Sequence, residues 1–225
     1  MGNRVRGVLD YGEVELVQAC GDDLTPVAAA RTSYAGRNGD EGRDRKLLRY
    51  LATNGHYGPF EFIDATWRVK APLFVARQWM RHRTGSYNEF SFRYAEPTKL
   101  NDEDEIHYYT PRLWRSQHNV DRQSSYGEAL DMEVDYQRQM QTAILAYRTA
   151  IAGGVSREQA RLYLPSSVYT QFWYKTNMRN LLHFLSLRLD SHAQEETRQF
   201  AEAISEDVKE NWPLVWELFE EGLFV

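Results

Sequence analysis

The sequence contains a single cysteine, Cys20, and only 5 lysines against 22 arginines among its 225 residues. One cysteine excludes an internal disulfide and any zinc site built from several cysteines. The chain also shows no cleavable signal pattern and no apolar run long enough to span a bilayer, so we expect a cytoplasmic protein without membrane contact. Its formal net charge of −5 argues against general attraction to nucleic acid or to an anionic membrane surface.

The excess of arginine suits the local recognition of anions, because a guanidinium group can hold a phosphate or a carboxylate in two places. Cys20 follows EVELVQAC, a stretch that alternates as a strand does, and it has no histidine or basic neighbour in the sequence to activate a thiol. A free cysteine usually behaves as a small hydrophobic residue. We therefore expect Cys20 to be buried rather than catalytic.

The hydrophobic pattern predicts an α+β fold, in which a mixed or antiparallel sheet packs with several helices in a single domain over residues 1–225. Residues 4–20 alternate as one or two strands, and FIDATWRVKAP and SVYTQFWYKT alternate as further strands. Helices are predicted after Leu24, over RDRKLLRYLATNG, after Pro72, over 124–152, after Ser156, and from about 177 to the end with a break at Asp190 and Ser191. The polar segment 96–121 predicts a surface loop without a metal site, since no ligand set has the expected spacing.

Three helix starts carry a capping signal. Thr25 stands directly before Pro26, while Ser156 and Ser191 are each followed three residues later by a glutamine, Gln159 and Gln194. A hydroxyl at the first position and a glutamine at the fourth form a capping box. We expect each of the three hydroxyls to cap the helix that follows it.

Residues 81–94 read RHRTGSYNEFSFRY and contain three arginines but only one carboxylate, Glu89. Because an unpaired guanidinium is costly to bury, an anion from outside the segment is expected to complete it. An extended backbone would place aromatic side chains on one side and polar ones on the other. The aromatic set is Phe90, Phe92 and Tyr94, and the polar set is Glu89, Ser91 and Arg93.

Two explanations of this row remain open from the residues alone. It could be a network of arginine and glutamate on a sheet surface. Alternatively, Arg81 and Arg93 could bind the phosphate of a small molecule. Ser91 and Glu89 would then contact its sugar or base. The fourteen-residue string as a whole is more informative than its alternation.

This string resembles the signature of flavin-dependent thymidylate synthases, Arg-His-Arg-x-x-Ser-x-Asn-Glu-x-Ser-x-Arg-Tyr. It matches at every specified position, which are Arg81, His82, Arg83, Ser86, Asn88, Glu89, Ser91, Arg93 and Tyr94. Further blocks resemble the family in the family's order, namely AARTSY, GHYGPFEF, APLFVARQWM, SREQARLYLP and NMRNLLHFLSLRLDSHAQEE. The resemblance covers nearly the whole chain and implies the thymidylate synthase-complementing type of fold.

The resemblance implies the reductive methylation of 2′-deoxyuridine 5′-monophosphate (dUMP) to thymidylate (dTMP). Methylenetetrahydrofolate would give the carbon and NADPH the electrons, through bound FAD and without a cysteine nucleophile. It also implies a homotetramer whose FAD sites are shared between subunits. No metal is implied.

Matched residue by residue, the resemblance places along dUMP the side chains of Gln78, Arg81, Glu89, Ser91, Arg93, Arg161 and Arg188. It makes Arg188 the catalytic residue, because a fixed guanidinium facing the uracil imide favours its ionised form. The residues that it places against FAD are Ser33, His56, Gly58, Glu61, Arg81, His82, Arg83, Glu89, Asn177, Arg179, His183 and His192.

Two positions depart from the family's pattern. Gly58 stands where a serine or threonine is usual, and Phe62 stands where a histidine is usual. A hydroxyl contact to FAD at Gly58 is therefore lost or replaced by backbone, and Phe62 offers no polar role. Neither position belongs to the nucleotide-binding row.

Several of these residues also have ordinary explanations. His183 resembles a core histidine, His56 a partner for a helix C-terminus, Asn177 a turn residue and Ser33 a cap. Two other function classes stay open as well. A binder of single-stranded nucleic acid would also place arginines beside aromatics, although the acidic net charge counts against it. A family member that has lost activity would serve as a scaffold or a regulator.

Overall fold

The computed structural model of the protein describes residues 4–34, 40–117 and 125–224. Its strands are β1 Val5–Val8, β2 Gly12–Cys20, β3 Asp64–Pro72, β4 Ser86–Glu89, β5 Trp114–Gln117, β6 Ser125–Leu130 and β7 Tyr169–Asn177. Five of them form an antiparallel sheet in the order β1-β2-β3-β7-β4, and β5 pairs with β6 in a separate hairpin. The predicted α+β class with an antiparallel sheet is confirmed.

The helices are α1 Thr25–Arg31, α2 Glu41–Thr53, α3 Leu73–Trp79, α4 Glu133–Ala152, α5 Arg157–Ala160, α6 Met178–Arg188, α7 Glu195–Asn211 and α8 Pro213–Glu220. Asn54 and Gly55 at the end of RDRKLLRYLATNG predict where this helix stops, and the prediction is confirmed, because α2 ends at Thr53 and Gly55 has a φ of 69° that glycine adopts without strain. Pro72 directly precedes α3, as predicted. Within the described ranges, no helix combines the length and the apolar character needed to cross a membrane.

The central strands β3 and β7 show why one face of the sheet is covered. Their alternating Trp67, Phe172 and Tyr174 are fully buried, in one cluster with Phe184 of α6 and Phe200 of α7. Alternate residues of a strand point to opposite faces, so the intervening side chains lie on the other face. There Arg68 and Trp173 stay exposed, opposite each other across the two strands.

The prediction that Cys20 is buried is wrong. Cys20 is exposed at the end of β2, opposite Asp64 of β3. The register between the two strands shifts between Leu16 and Gln18, and such a β-bulge reverses which residues face the core. The bulge therefore turns Cys20 outwards, which the sequence pattern does not reveal.

The helix predicted over 124–152 begins only at Glu133. Residues 125–130 form strand β6 instead, because they pair with Trp114–Gln117; residue 124 lies outside the described residues. The predicted loop 96–121 is likewise more ordered than expected. Ile106 and Tyr109 are buried, and residues 114–117 form β5, while 118–121 fall outside the described residues.

The predicted extended row over residues 89–94 is only half formed. Strand β4 ends at Glu89, and the chain then turns, since the carbonyl of Ser91 accepts hydrogen bonds from the backbone N–H of Tyr94 and of Ala95 at 3.0 and 3.1 Å. Phe92 is buried, but Tyr94 is 74% exposed. The prediction that all three aromatics share one buried side is therefore wrong for Tyr94.

The predicted capping hydroxyls do not cap their helices. Thr25 is the first residue of α1 and bonds through its hydroxyl to Asp22, while Ser156 stands before α5 without a side-chain cap. The break at Asp190 is confirmed, but α7 begins at Glu195, too late for Ser191 to cap it. Acidic residues in the first turn of α7 stabilise that end through the helix dipole instead.

Candidate functional site

The signature begins in the turn that follows α3. Arg81 and Arg83 are exposed there, and neither side chain makes a hydrogen bond or an ion pair with any other described residue. Arg77, one turn earlier on α3, is also exposed, and its side chain likewise makes no hydrogen bond or ion pair with any other described residue. Three guanidinium groups are thus available to an external anion.

Two threonines hold the polar side chains next to this turn. The hydroxyl of Thr170 on β7 donates to Oε1 of Glu89 at 2.9 Å. The hydroxyl of Thr197 on α7 donates to Oε1 of Gln78 at 2.5 Å. Glu89 and Gln78 are therefore oriented before any ligand arrives, and the amide nitrogen of Gln78 remains free to donate.

Arg93 and Arg161, which come from two separate blocks of the sequence, meet at Glu158. One terminal nitrogen of Arg93 lies 3.8 Å from a carboxylate oxygen of Glu158, and Nε of Arg161 donates to the Glu158 carbonyl at 3.2 Å. The hydroxyl of Ser91 accepts from the backbone N–H of Arg93 at 3.3 Å. Since Arg93 and Glu158 are both about half exposed, this ion pair is weak and easily exchanged for another anion.

Arg188, in the last turn of α6, is brought against His82 of the signature. Its Nε donates to Nε2 of His82 at 3.0 Å, and both side chains are half-buried. Burial, and secondly the positive charge of Arg188, lower the pKa of His82 to about 4. Burial also lowers the pKa of the Arg188 guanidinium. The imidazole is therefore neutral at neutral pH and leaves the charge of Arg188 uncompensated.

A cavity of about 480 Å³ opens beside α6. Its lining residues are Tyr57, Thr84, Arg179, Asn180, His183 and Phe224. Arg179 also binds Glu61 at 2.6 Å, so two residues assigned to FAD by the resemblance lie together. His183 is exposed and is not a core histidine.

The two departures from the family's pattern both lie at open positions. A Cβ atom added at Gly58 would meet no other atom within 4 Å, so a serine or threonine would have room there. Phe62 is 65% exposed. Asn177 is no turn residue, because its side chain caps α6 by accepting from the N–H of Asn180 at 3.0 Å.

Among the described residues, no hydrogen bond or ion pair joins the side chains of three residues assigned to FAD to the others of that set. Ser33 is exposed in a short turn after α1, and His56 is exposed with its ring 6.0 Å from that of Tyr50. His192 is exposed and binds Asp190 at 2.9 Å.

Sequence reasoning missed several residues of this region. Thr170 and Thr197, which hold Glu89 and Gln78, and Tyr57 and Phe224 of the cavity were not singled out. The inward alternation of β7 could have drawn attention to Thr170, but Phe224 reaches the cavity from the far end of the chain and carries no local signal.

Among the described residues, ligand atoms of Glu103, Glu105 and His107 lie within 4.8 Å of one another. Nε2 of His107 is 2.8 Å from the carboxylate of Glu103, a hydrogen-bond contact that accounts for the closeness of these two side chains. The absence of a metal site stays a prediction.

Comparison with known proteins gives one consistent family. A profile of the thymidylate synthase complementing protein family matches residues 15–214. A flavin-dependent thymidylate synthase of Thermus thermophilus is 46% identical over 218 residues, covering 96% of this chain and 78% of that protein. A protein of the same name from Thermotoga neapolitana is 43% identical over 212 residues, covering 94% of this chain and 92% of that protein.

Solved structures agree with this result. The structure of the UMP/dUMP methylase PolB from Streptomyces cacaoi, bound with 5-Br dUMP, superposes with a TM-score of 0.82. The two sequences are 34% identical, and the match covers 96% of this chain and 97% of that one. The fold and the arrangement of elements are therefore shared over nearly the whole length.

Proposed function

The chain belongs to the thymidylate synthase complementing protein family, and from this premise we propose that it is a flavin-dependent thymidylate synthase that methylates dUMP to dTMP. The observation that carries the proposal is the meeting of Arg188 with His82. It joins a block near the C-terminus to the signature and leaves a charged guanidinium available for a uracil ring.

The residues present fit FAD as the cofactor. Arg81 and Arg83 have no anionic partner within the part of the chain that the structure describes and suit a diphosphate, and the nearby cavity offers Arg179, Asn180 and His183 as donors. The chemistry that FAD supplies when bound is hydride transfer, with NADPH as the electron source and methylenetetrahydrofolate as the carbon source. This chain supplies binding, orientation and electrostatics.

Different side chains bind different parts of the nucleotide. Arg93 and Arg161, together with Arg81, bind the phosphate of dUMP, and Ser91 lies beside them. Gln78 and Glu89 bind the sugar and base, and their threonine partners orient both side chains in advance. Arg188 faces the uracil imide and stabilises negative charge that develops on the ring.

We also infer that the protein works as a homotetramer with FAD sites shared between subunits. No hydrogen bond or ion pair among the described residues links the side chains of Ser33, His56 and His192 to those that line the cavity, and a second subunit would complete the site. Exposed apolar side chains supply surface for such contacts, including Leu145 and Leu162, which are 64% and 83% exposed. Light scattering tests this; a monomer with bound FAD would contradict it.

The function is tested by a visible absorption titration of the FAD-loaded protein with dUMP, followed by an assay for dTMP. We expect a saturable shift of the flavin spectrum, and dTMP when methylenetetrahydrofolate and NADPH are added. A protein that binds neither ligand but binds oligonucleotides with a steep salt dependence would instead be a nucleic-acid binder. Binding of both ligands without product would indicate a scaffold.

A further inference from the structure

The Arg188 guanidinium is held by a hydrogen bond at its Nε atom. Its Nε is used by the hydrogen bond to Nε2 of His82, so only its two terminal nitrogens remain for a ligand. A planar guanidinium that is fixed at Nε can point those two nitrogens in only one direction. The position of the His82 ring thereby determines where Arg188 points.

His82 is itself held by three contacts, two of its backbone and one of its ring. Its backbone N–H donates to the carbonyl of Trp79 at 3.0 Å, and its own carbonyl accepts from the hydroxyl of Tyr87 at 2.8 Å. Its ring packs edge-on against Phe184, with centroids 5.0 Å apart. Phe184 and Arg188 are four residues apart on α6 and so lie on one face of that helix. One helix face thus both packs the imidazole and receives its hydrogen bond.

The hydrogen bond requires a particular form of the imidazole. Because Nε of arginine only donates, Nε2 of His82 must accept, and the ring must be neutral with its proton on Nδ1. The positive and titratable groups that face the ring are Arg188 and His183, both on α6, and within the described residues no carboxylate pairs with it. Burial and these neighbours keep the ring neutral.

A neutral acceptor preserves the charge of Arg188, which a carboxylate at the same position would not do. A carboxylate would orient Arg188 but would also cancel much of its charge. The imidazole orients the guanidinium and leaves its full charge for the substrate, which is what electrostatic activation needs.

We propose that His82 is a positioning residue that acts through Arg188, aiming its two terminal nitrogens at the uracil imide. The inference rests on the proposed function and gives His82 a role separate from the FAD contact implied by the resemblance.

Two variants separate these roles. His82→Gln removes the imidazole but can place a neutral amide oxygen as acceptor, whereas His82→Phe keeps an aromatic ring against Phe184 and offers no acceptor. At saturating FAD and dUMP, we expect His82→Phe to lose kcat by about tenfold or more, and His82→Gln to stay within a few-fold of the wild type. Equal losses of kcat in both variants would overturn the proposal, because an FAD contact alone treats them alike.

Arg188→Ala supplies a second, independent test. In the wild-type background His82→Phe should weaken dUMP binding, measured by calorimetry on the FAD-loaded protein, and in the Arg188→Ala background it should cause no further loss of dUMP affinity. A further loss as large as in the wild-type background would show that His82 acts without Arg188 and would overturn the proposal.

A third measurement does not depend on turnover or on folding of a variant. Nitrogen-15 spectra of the FAD-loaded wild type at pH 7 should show the His82 ring neutral, with its proton on Nδ1. A charged ring or a proton on Nε2 would overturn the proposal. A wild type that makes no dTMP would refute the proposed function instead, while this tautomer result would still stand.

Discussion

Two arginine-containing parts of the site are built in opposite ways. Arg188 is half-buried and held by a neutral imidazole, that of His82, which packs against Phe184 of the aromatic core. Arg93 and Arg161 are exposed and meet at a carboxylate residue, Glu158. The first arrangement fixes a direction and preserves charge, which suits activation of a ring. The second leaves exposed cations that solvent screens, which suits capture of a phosphate.

The largest expected effect comes from Arg188→Ala. If the buried guanidinium activates the uracil, dTMP formation should fall by about 100-fold or more, since removing one preorganised electrostatic group costs that much. FAD content, measured by visible absorption, should not change. Arg138→Ala removes an exposed arginine from an ordinary ion pair and should leave the rate unchanged. Normal turnover of Arg188→Ala would show that the two regions do not differ as proposed.

A smaller effect is expected at the exposed region. Arg93→Ala should weaken dUMP binding roughly tenfold, because a charge-assisted hydrogen bond contributes about 1.5 kcal/mol. Calorimetric titration at two salt concentrations measures this, and the loss should be smaller at high salt. Glu158→Gln is the matched variant, since it frees the same guanidinium and should tighten binding up to about threefold. A loss of affinity in Glu158→Gln would contradict a phosphate site here.

The buried region should also respond to acid. The pKa of His82 is about 4 in the folded protein and ordinarily 6.5, so the unfolded chain binds more protons between these values. The free energy of unfolding therefore has its full value above pH 6.5. It falls by about 1 kcal/mol as the pH drops towards 4, after allowance for the partial exposure of the His82 ring. Urea denaturation at pH 7 and pH 4.5 measures it. His82→Gln should show a shallower dependence, and an identical one would contradict the assignment.

The smallest effect is expected at Cys20. Because the proposed reaction uses no cysteine nucleophile and the side chain is exposed, Cys20→Ser should change the free energy of unfolding by no more than about 0.5 kcal/mol. The dTMP assay should give an unchanged rate. Loss of activity in this variant would require a mechanism in which the thiol attacks the substrate.

Much of this protein could be predicted from local sequence. The alternation in SVYTQFWYKT predicted β7, Pro72 predicted the start of α3, and the signature predicted the identity of the family. These signals are local, because strand periodicity and proline geometry act over a few residues. The single-domain organisation over residues 1–225 and the roles of the site residues stay predictions.

Other features were decided by contacts between distant residues. The bulge at Leu16 and Gln18 exposes Cys20, and pairing with Trp114–Gln117 makes a strand of residues 125–130 where a helix was predicted. Both depend on the register with a partner strand, which tertiary packing selects and local propensity does not. The contact of Arg188 with His82 joins positions 106 residues apart. The sequence by itself determined which chemical groups the protein carries. Only the tertiary structure decided that the neutral imidazole of His82 would accept a hydrogen bond from the guanidinium of Arg188, because burial and helix packing bring the two together.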